Sequence, residues 1–142
     1  MEEARGDAGL TNNLEVARRG YRAWAAGDFA AVFEDSTADL EFVPAIAASV
    51  EGGSVRGQDQ VRRFFTELQE TWETFRIEMD EFREVGDRVM GIGRLTAKGR
   101  GSELELDQPI YSVAWFRDGK IARMQSFLDR EAAESAAGKV VE

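Results

Sequence analysis

The feature that most constrains this chain is a long β-hairpin within Leu104–Asp129. The dipeptide Asp118-Gly119 separates two segments rich in β-branched and aromatic residues, Leu106–Phe116 and Ile121–Leu128. Asp-Gly between two such segments is typical of a tight hairpin turn, because glycine adopts the positive φ angle that the turn requires. The sequence therefore predicts two long antiparallel strands joined at this dipeptide.

The first strand of this hairpin is apolar or small on both of its faces. Its two alternating sets are Ile110, Ala114 and Phe116 on one face and Tyr111, Val113 and Trp115 on the other. A strand that is buried on one side only would alternate with polar residues, so we expect both faces of the sheet to be covered. The helices of one small domain can cover one face, and a second copy of the chain would cover the other. The sequence therefore predicts a homodimer through the sheet face opposite the helices, with either set facing the partner.

The composition excludes several classes of function. The chain has 142 residues and a net charge of -9 at pH 7, which fits one domain without the basic surface that binding to nucleic acid requires. It contains no cysteine and no histidine, which excludes thiolate catalysis and the usual serine triads and argues against zinc. The sequence indicates no metal site and no cofactor. Because it contains no apolar run as long as a membrane span and no secretory leader, we expect a cytoplasmic protein without membrane partners.

Apolar periodicity predicts helices ahead of an antiparallel meander. The expected helices are Asn12–Ala26, Phe29–Glu34, Gln58–Thr74 and Arg130–Ala137, the last of which ends at Gly138. The expected strands outside the hairpin are Ala38–Val43, Phe75–Val85 and Arg88–Lys98. A flexible tail Met1–Thr11 precedes the first helix, and a loop Ala45–Arg56 follows the first strand. A shift in alternation near Asp80-Glu81 predicts a β-bulge. Helices that precede a meander indicate an α+β fold, here one domain over residues 12–138 with tails at 1–11 and 139–142.

Several local segments resemble one known family. They are Gly27-Asp28-Phe29, Gly57–Phe65, Gly86–Val89, Phe116–Ile121 and Phe127–Ala132, together with Tyr21 and Trp24 on the first helix. This set resembles the SnoaL-like branch of the nuclear transport factor 2-like superfamily. The resemblance implies a cone-shaped domain, in which a curved antiparallel sheet wraps on helices around an apolar pocket. Members include polyketide cyclases, ketosteroid isomerases and limonene-epoxide hydrolases, and many of them dimerise through the outer face of the sheet.

The resemblance implies Asp129 as the best candidate for a catalytic residue. The segment Phe127-Leu-Asp129 is similar to the place where the epoxide hydrolases and SnoaL-type cyclases carry a catalytic aspartate. Arg94 matches an arginine of the hydrolases and could set the charge of Asp129, and Tyr21 could donate a hydrogen bond to a substrate oxygen. Each residue has a structural alternative, because Asp129 could cap the last helix, Arg94 could lie at the rim, and Tyr21 could belong to the core.

The sequence departs from the hydrolase pattern at three positions. Thr96 stands where the resemblance places an aspartate, and Leu40 and Phe42 replace the water-holding tyrosine and asparagine. The expected pocket is mostly apolar and is lined by Trp24, Leu40, Phe42, Trp72, Thr96, Gln125 and Phe127.

Two functions are compatible with such a pocket. The first is a cofactor-independent cyclase or isomerase, in which Asp129 transfers a proton of a hydrophobic carbonyl compound. The alternative is a non-catalytic protein that binds a hydrophobic small molecule. An epoxide hydrolase is the weaker enzyme class because three of its expected polar positions are replaced.

Overall fold

A computed structural model of the chain describes residues 2–45 and 53–138 and confirms the predicted α+β architecture. The helices within these ranges are α1 (Glu2–Ala26), α2 (Phe29–Glu34), α3 (Gln58–Thr71) and α4 (Arg130–Ala137). The strands are β1 (Ser36–Val43), β2 (Val55–Arg56), β3 (Trp72–Val85), β4 (Arg88–Gly99), β5 (Glu105–Arg117) and β6 (Lys120–Phe127).

The six strands form one curved sheet in the order β2-β1-β6-β5-β4-β3. All neighbours are antiparallel except β1 and β6, which are parallel. The predicted hairpin is present as β5 and β6, and its turn residues Asp118 and Gly119 have φ angles of 56° and 81°. Positive φ at both central residues matches the right-handed twist of the flanking strands. The sequence pattern thus identified the central hairpin of the sheet.

The inner face of the sheet packs against α1, α2 and α3. Tyr21 of α1 and Phe65 of α3 contact a buried cluster that contains Leu40 of β1, Val89 of β4 and Ala114 of β5. The sheet can wrap around these helices because it bends at the predicted bulge, where Asp80 is the extra residue between the pairs Met79–Gly93 and Glu81–Ile92. The bulge prediction is therefore confirmed.

Part of the outer face is covered by α4 of the same chain, so the expectation that only another chain could cover this face is wrong for the residues beneath α4. Ala133 and Ala137 of α4 pack against Met90 of β4 and Val113 of β5. Two guanidinium groups contact the ring of Trp115, with Arg88 at 5.5 Å and Arg123 at 5.0 Å from the ring centroid. The set that contains Tyr111, Val113 and Trp115 is therefore the outward one. Because Tyr111, Trp115 and Phe127 on this face stay partly exposed, the homodimer remains a prediction.

Several predicted boundaries differ from the observed ones. Helix α1 begins at Glu2, so the segment expected to be a tail is helical, because extending a formed helix costs less than nucleating one. Strand β1 begins at Ser36, two residues earlier than predicted. Helix α3 ends at Thr71 because Trp72 adopts extended angles and pairs with Gly99 of β4. Strand β2 lies in the predicted loop, whose central residues 46–52 are outside the described part of the chain, as is the predicted tail 139–142.

Candidate functional site

An apolar cavity of about 250 Å³ lies between the helices and the inner face of the sheet. Six aromatic side chains form much of its wall: Trp24, Phe42, Phe64, Phe65, Trp72 and Phe75. Eight aliphatic residues complete the apolar surface: Pro44, Ala45, Leu68, Ile77, Leu95, Leu106, Ile110 and Leu128. The two polar residues of the wall are Gln108 and Ser126. The cavity thus has the apolar lining with few polar groups that small-molecule sites typically show.

The periodicity of the strands explains how these side chains reach the cavity. Leu106, Gln108 and Ile110 alternate on β5, so all three point to the inner face. Leu95 of β4 pairs with Gln108 across the two strands and shares that face. On the helical side, the ring of Phe65 packs 4.9 Å from that of Trp24, measured between centroids. The inward residues of the strands and the apolar stripe of α3 therefore enclose one space.

The wall of the cavity holds no ionisable side chain among the described residues. An ion placed there would lose its hydration without gaining an opposite charge, which is costly in an apolar environment. Gln108 offers an amide that can both donate and accept hydrogen bonds, and Ser126 offers a hydroxyl. The arrangement can therefore hold a neutral, mostly apolar molecule and bind one or two of its polar atoms.

A second, polar hollow of about 340 Å³ lies between α1 and β3. Its lining includes Arg18 and Arg22 of α1 and Glu78 and Asp80 of β3. Tyr21 contributes to this hollow and not to the wall of the apolar cavity. The two spaces therefore differ in chemistry, and the apolar cavity is the better candidate for the site implied by the sequence.

Sequence comparison identifies the family. A family model described as a SnoaL-like domain matches residues 17–124, which is more than half of the chain. The chain belongs to the SnoaL-like family. No curated protein matches the sequence of this SnoaL-like protein significantly.

Solved structures show the same fold. TerC, co-crystallised with polyporic acid, is 22% identical with a TM-score of 0.71, and the alignment covers 89% of this chain and 98% of TerC. A candidate SnoaL-like polyketide cyclase from Jannaschia sp. CCS1 is 22% identical with a TM-score of 0.71 and coverages of 94% and 96%. A protein from Catenulispora acidiphila DSM 44928 with a ketosteroid isomerase-like fold, in complex with trimethylamine, is 18% identical with a TM-score of 0.68 and coverages of 87% and 92%. These similarities establish the cone fold that the resemblance implied.

The predicted pocket residues of the SnoaL-like protein fall into two groups. Trp24, Phe42 and Trp72 line the cavity. Leu40 is buried in the core and does not reach the cavity. The other three are corrected, because strand alternation places them on the outer face: Thr96, Gln125 and Phe127.

The predicted pair of Arg94 and Asp129 is also corrected. Strand alternation places Arg94 of β4 on the outer face of the sheet. Arg94 forms an ion pair with Asp107, and both side chains are more than half exposed. Asp129 is exposed and accepts a hydrogen bond of 3.0 Å from the backbone N–H of Ala132, so it caps the N-terminus of α4. Neither residue lines the cavity. Of the two roles considered for Asp129, the structure shows the cap.

Tyr21 has a buried hydroxyl that is hydrogen-bonded to the hydroxyl of Ser112. Burial raises the pKa of Tyr21 well above its usual range, while the hydrogen bond to Ser112 opposes the shift. The phenol therefore keeps its proton at physiological pH. As the sequence-based alternative allowed, the ring of Tyr21 belongs to the inner core.

Sequence reasoning missed the two polar residues of the cavity wall. Gln108 shares the parity of Leu106 and Ile110 on a predicted strand, so a polar residue within an inward apolar series was a signal that could have identified it. Ser126 carried no comparable signal, because the neighbouring residues of β6 alternate irregularly between apolar and polar side chains.

Proposed function

We propose that this SnoaL-like protein binds a neutral, mostly apolar small molecule in the inner cavity and does not transform it by side-chain acid–base chemistry. The observation that carries this proposal is the lining of the cavity of about 250 Å³, which includes no ionisable side chain among the described residues. Gln108 and Ser126 would bind the polar atoms of the ligand. The aromatic side chains would contact its apolar body, which suits a planar molecule with more than one ring.

The size of the cavity supports useful affinity. Burial of roughly 200 Å² of apolar ligand surface would contribute about 5 kcal/mol at ~25 cal/mol per Å² before the cost of association. Among proteins of the same fold, TerC was co-crystallised with polyporic acid and the Catenulispora protein with trimethylamine. Small organic molecules bound to similar chains are consistent with a ligand here.

The catalytic alternative has less support. A cyclase or isomerase would need an acid or base at the reacting carbon, within about 3 Å of the proton that it moves. Asp129 caps α4 and does not line the cavity. Acid–base catalysis in the cavity would therefore depend on a group outside the described residues, whereas binding depends only on the wall that the structure shows.

A thermal-shift screen with terpenoid and polyketide-like compounds, followed by product analysis, tests the proposal. A ligand present at a hundred times its Kd stabilises the folded state by about 2.7 kcal/mol. In a chain of this size that stabilisation raises the Tm by roughly 5–10 °C. We expect at least one hit that is recovered chemically unchanged after long incubation with stoichiometric protein. Conversion of a hit would contradict the non-catalytic function, and a screen in which no apolar compound raises the Tm would contradict binding.

Assembly and location remain proposals. We propose a homodimer through the outer face of the sheet, on the basis of its partly exposed apolar side chains and of the family resemblance, and a cytoplasmic location. None of the helices in the described part of the chain is long and apolar enough to cross a membrane.

Sedimentation velocity at micromolar concentration checks the dimer. We expect a species of twice the 15.8 kDa chain mass, and a single species of the chain mass would contradict the dimer. Trp115→Asp, on the proposed interface, should dissociate the dimer.

A further inference from the structure

A row of three hydroxyl groups crosses the inner face of the sheet and ends at the cavity. The row consists of Tyr21 on α1, Ser112 on β5 and Ser126 on β6. We propose that Tyr21 is a positioning residue, which acts through Ser112 to orient the hydroxyl of Ser126 as a hydrogen-bond donor toward an acceptor oxygen of the bound molecule. This inference rests on the proposed function of the cavity and specifies the ligand as a carbonyl or ether compound.

The first step is the direction of the hydrogen bond between Tyr21 and Ser112. Both residues are buried, with 3% and 0% of their surface exposed. A phenol is a stronger acid than an aliphatic alcohol and is therefore the better donor of the two. Burial raises the pKa of Tyr21 above its usual range, so the phenol does not lose this proton near neutral pH. Tyr21 accordingly donates, and the oxygen of Ser112 accepts.

The second step is the direction of the remaining hydrogen of Ser112. Ser112 and Ser126 are directly opposite each other in the antiparallel pair of β5 and β6. Side chains in such a pair share one face of the sheet, with about 5 Å between their Cβ atoms. A serine hydroxyl has a single hydrogen to donate. Since the oxygen of Ser112 accepts from Tyr21 on the helical side, its own hydrogen is free to point toward the oxygen of Ser126.

The third step is the consequence at the cavity. Ser126 lines the wall beside Ile110 and Leu128 and is only 5% exposed. When its oxygen accepts from Ser112, its own hydrogen is available to a ligand atom in the cavity. A ligand atom at that position must then accept a hydrogen bond, as the oxygen of a ketone, quinone, lactone or ether does. A ligand whose polar group can only donate would leave two donors facing each other in an apolar space.

A matched pair of ligands tests whether the cavity offers a hydrogen-bond donor to the ligand. Fluorenone and fluorene share one planar tricyclic skeleton and differ in a carbonyl oxygen. We expect the wild-type protein to bind fluorenone about fivefold or more tightly than fluorene, as measured by isothermal titration calorimetry, in line with one added hydrogen bond. In Tyr21→Phe and in Ser112→Ala the preference should fall to about twofold or less, while the affinity for fluorene stays unchanged.

The other tyrosine of the chain provides the control. Tyr111→Phe removes the same atom from the outer face of the sheet and should leave the preference unchanged. The carbonyl stretching frequency of bound fluorenone gives a second measurement that packing alone would not change, and it should rise in Tyr21→Phe as the hydrogen bond weakens. Circular dichroism confirms that each variant is folded.

Three outcomes would overturn the inference. Unchanged preference and stretching frequency in Tyr21→Phe would show that Tyr21 does not orient the donor. Equal loss of affinity for both probes would assign Tyr21 to packing alone. Absence of binding of both probes to the wild-type protein, when the thermal-shift screen gives other hits, would overturn the assignment of a planar carbonyl ligand and leave the proposed function standing.

Discussion

Replacing Gly93 with alanine is expected to destabilise the fold by roughly 3 kcal/mol or more. Gly93 lies on β4 opposite the bulge of β3, where the two backbones approach closely. A Cβ atom added at Gly93 would lie 2.0 Å from the carbonyl oxygen of Glu78 and 2.8 Å from the Cα of Met79. These contacts are with backbone, so no side-chain rotation can relieve them. Urea denaturation followed by circular dichroism measures the change in the free energy of unfolding.

Gly91 is the matched control for this substitution. It lies two residues earlier on the same strand and face, and a Cβ atom there would meet the sulfur of Met79 at 3.1 Å. Because a methionine side chain is flexible and can move aside, we expect Gly91→Ala to cost under about 1 kcal/mol. Equal stability of the two variants would contradict the idea that close backbone contact at Gly93 is needed for the bend of the sheet.

The bend at Gly93 connects the sequence pattern to the cavity. The shift in alternation near Asp80 predicted the bulge, because an extra residue reverses the parity of the apolar positions that follow it. The close contact at Gly93 could not be predicted in the same way, since a glycine in a strand is also compatible with a loose edge. A curved sheet is what allows β3 and β4 to reach the helices on one side of the cavity. The fold could thus be predicted from local patterns. The close backbone contact at Gly93 could not, because it depends on how two strands pack against each other.

The faces of the sheet show where prediction from sequence reaches its limit. Both alternating sets of side chains on β5 are apolar or small, so alternation alone could not decide whether Val113 or Ala114 faces α1, α2 and α3. The decision depends on α4, whose small residues Ala133 and Ala137 fit closely over Met90 and Val113. A helix of eight residues was predicted at the right place, but its packing partner is a tertiary contact that periodicity does not encode.

The same limit explains the errors in the candidate site. The resemblance assigned catalytic roles to Arg94 and Asp129, although Arg94 lies on the face of β4 that points away from the cavity. Had the inward face been known, the apolar series that includes Leu95 and Ile110 would have identified the wall, and Gln108 would have stood out as its polar member. One unknown, the direction of the helical layer, therefore accounts for most of the misplaced site residues.

Replacing Leu95 with tryptophan is expected to reduce ligand affinity at least about 100-fold, which corresponds to about 2.7 kcal/mol of binding free energy. Leu95 is 7% exposed and contributes to the cavity wall from β4. An indole at this position would occupy space that the ligand needs within about 250 Å³. Because the larger side chain enters an existing cavity, the Tm of the unliganded protein should change little. Calorimetric titration with the tightest hit of the thermal-shift screen measures the loss.

Thr96→Trp separates loss of cavity space from a general effect of tryptophan on this strand. Thr96 follows Leu95 directly, is exposed, and lies on the outer face opposite Asp107, so an indole there leaves the cavity unchanged. We expect this variant to bind the ligand with the wild-type Kd. Wild-type affinity in Leu95→Trp would place the ligand elsewhere, and the polar hollow beside Arg18 and Arg22 would be the next candidate. Equal loss in both variants would instead indicate that the strand itself is distorted. Only a loss confined to Leu95→Trp locates the ligand on the inner face, where the aromatic wall and the two polar residues lie together.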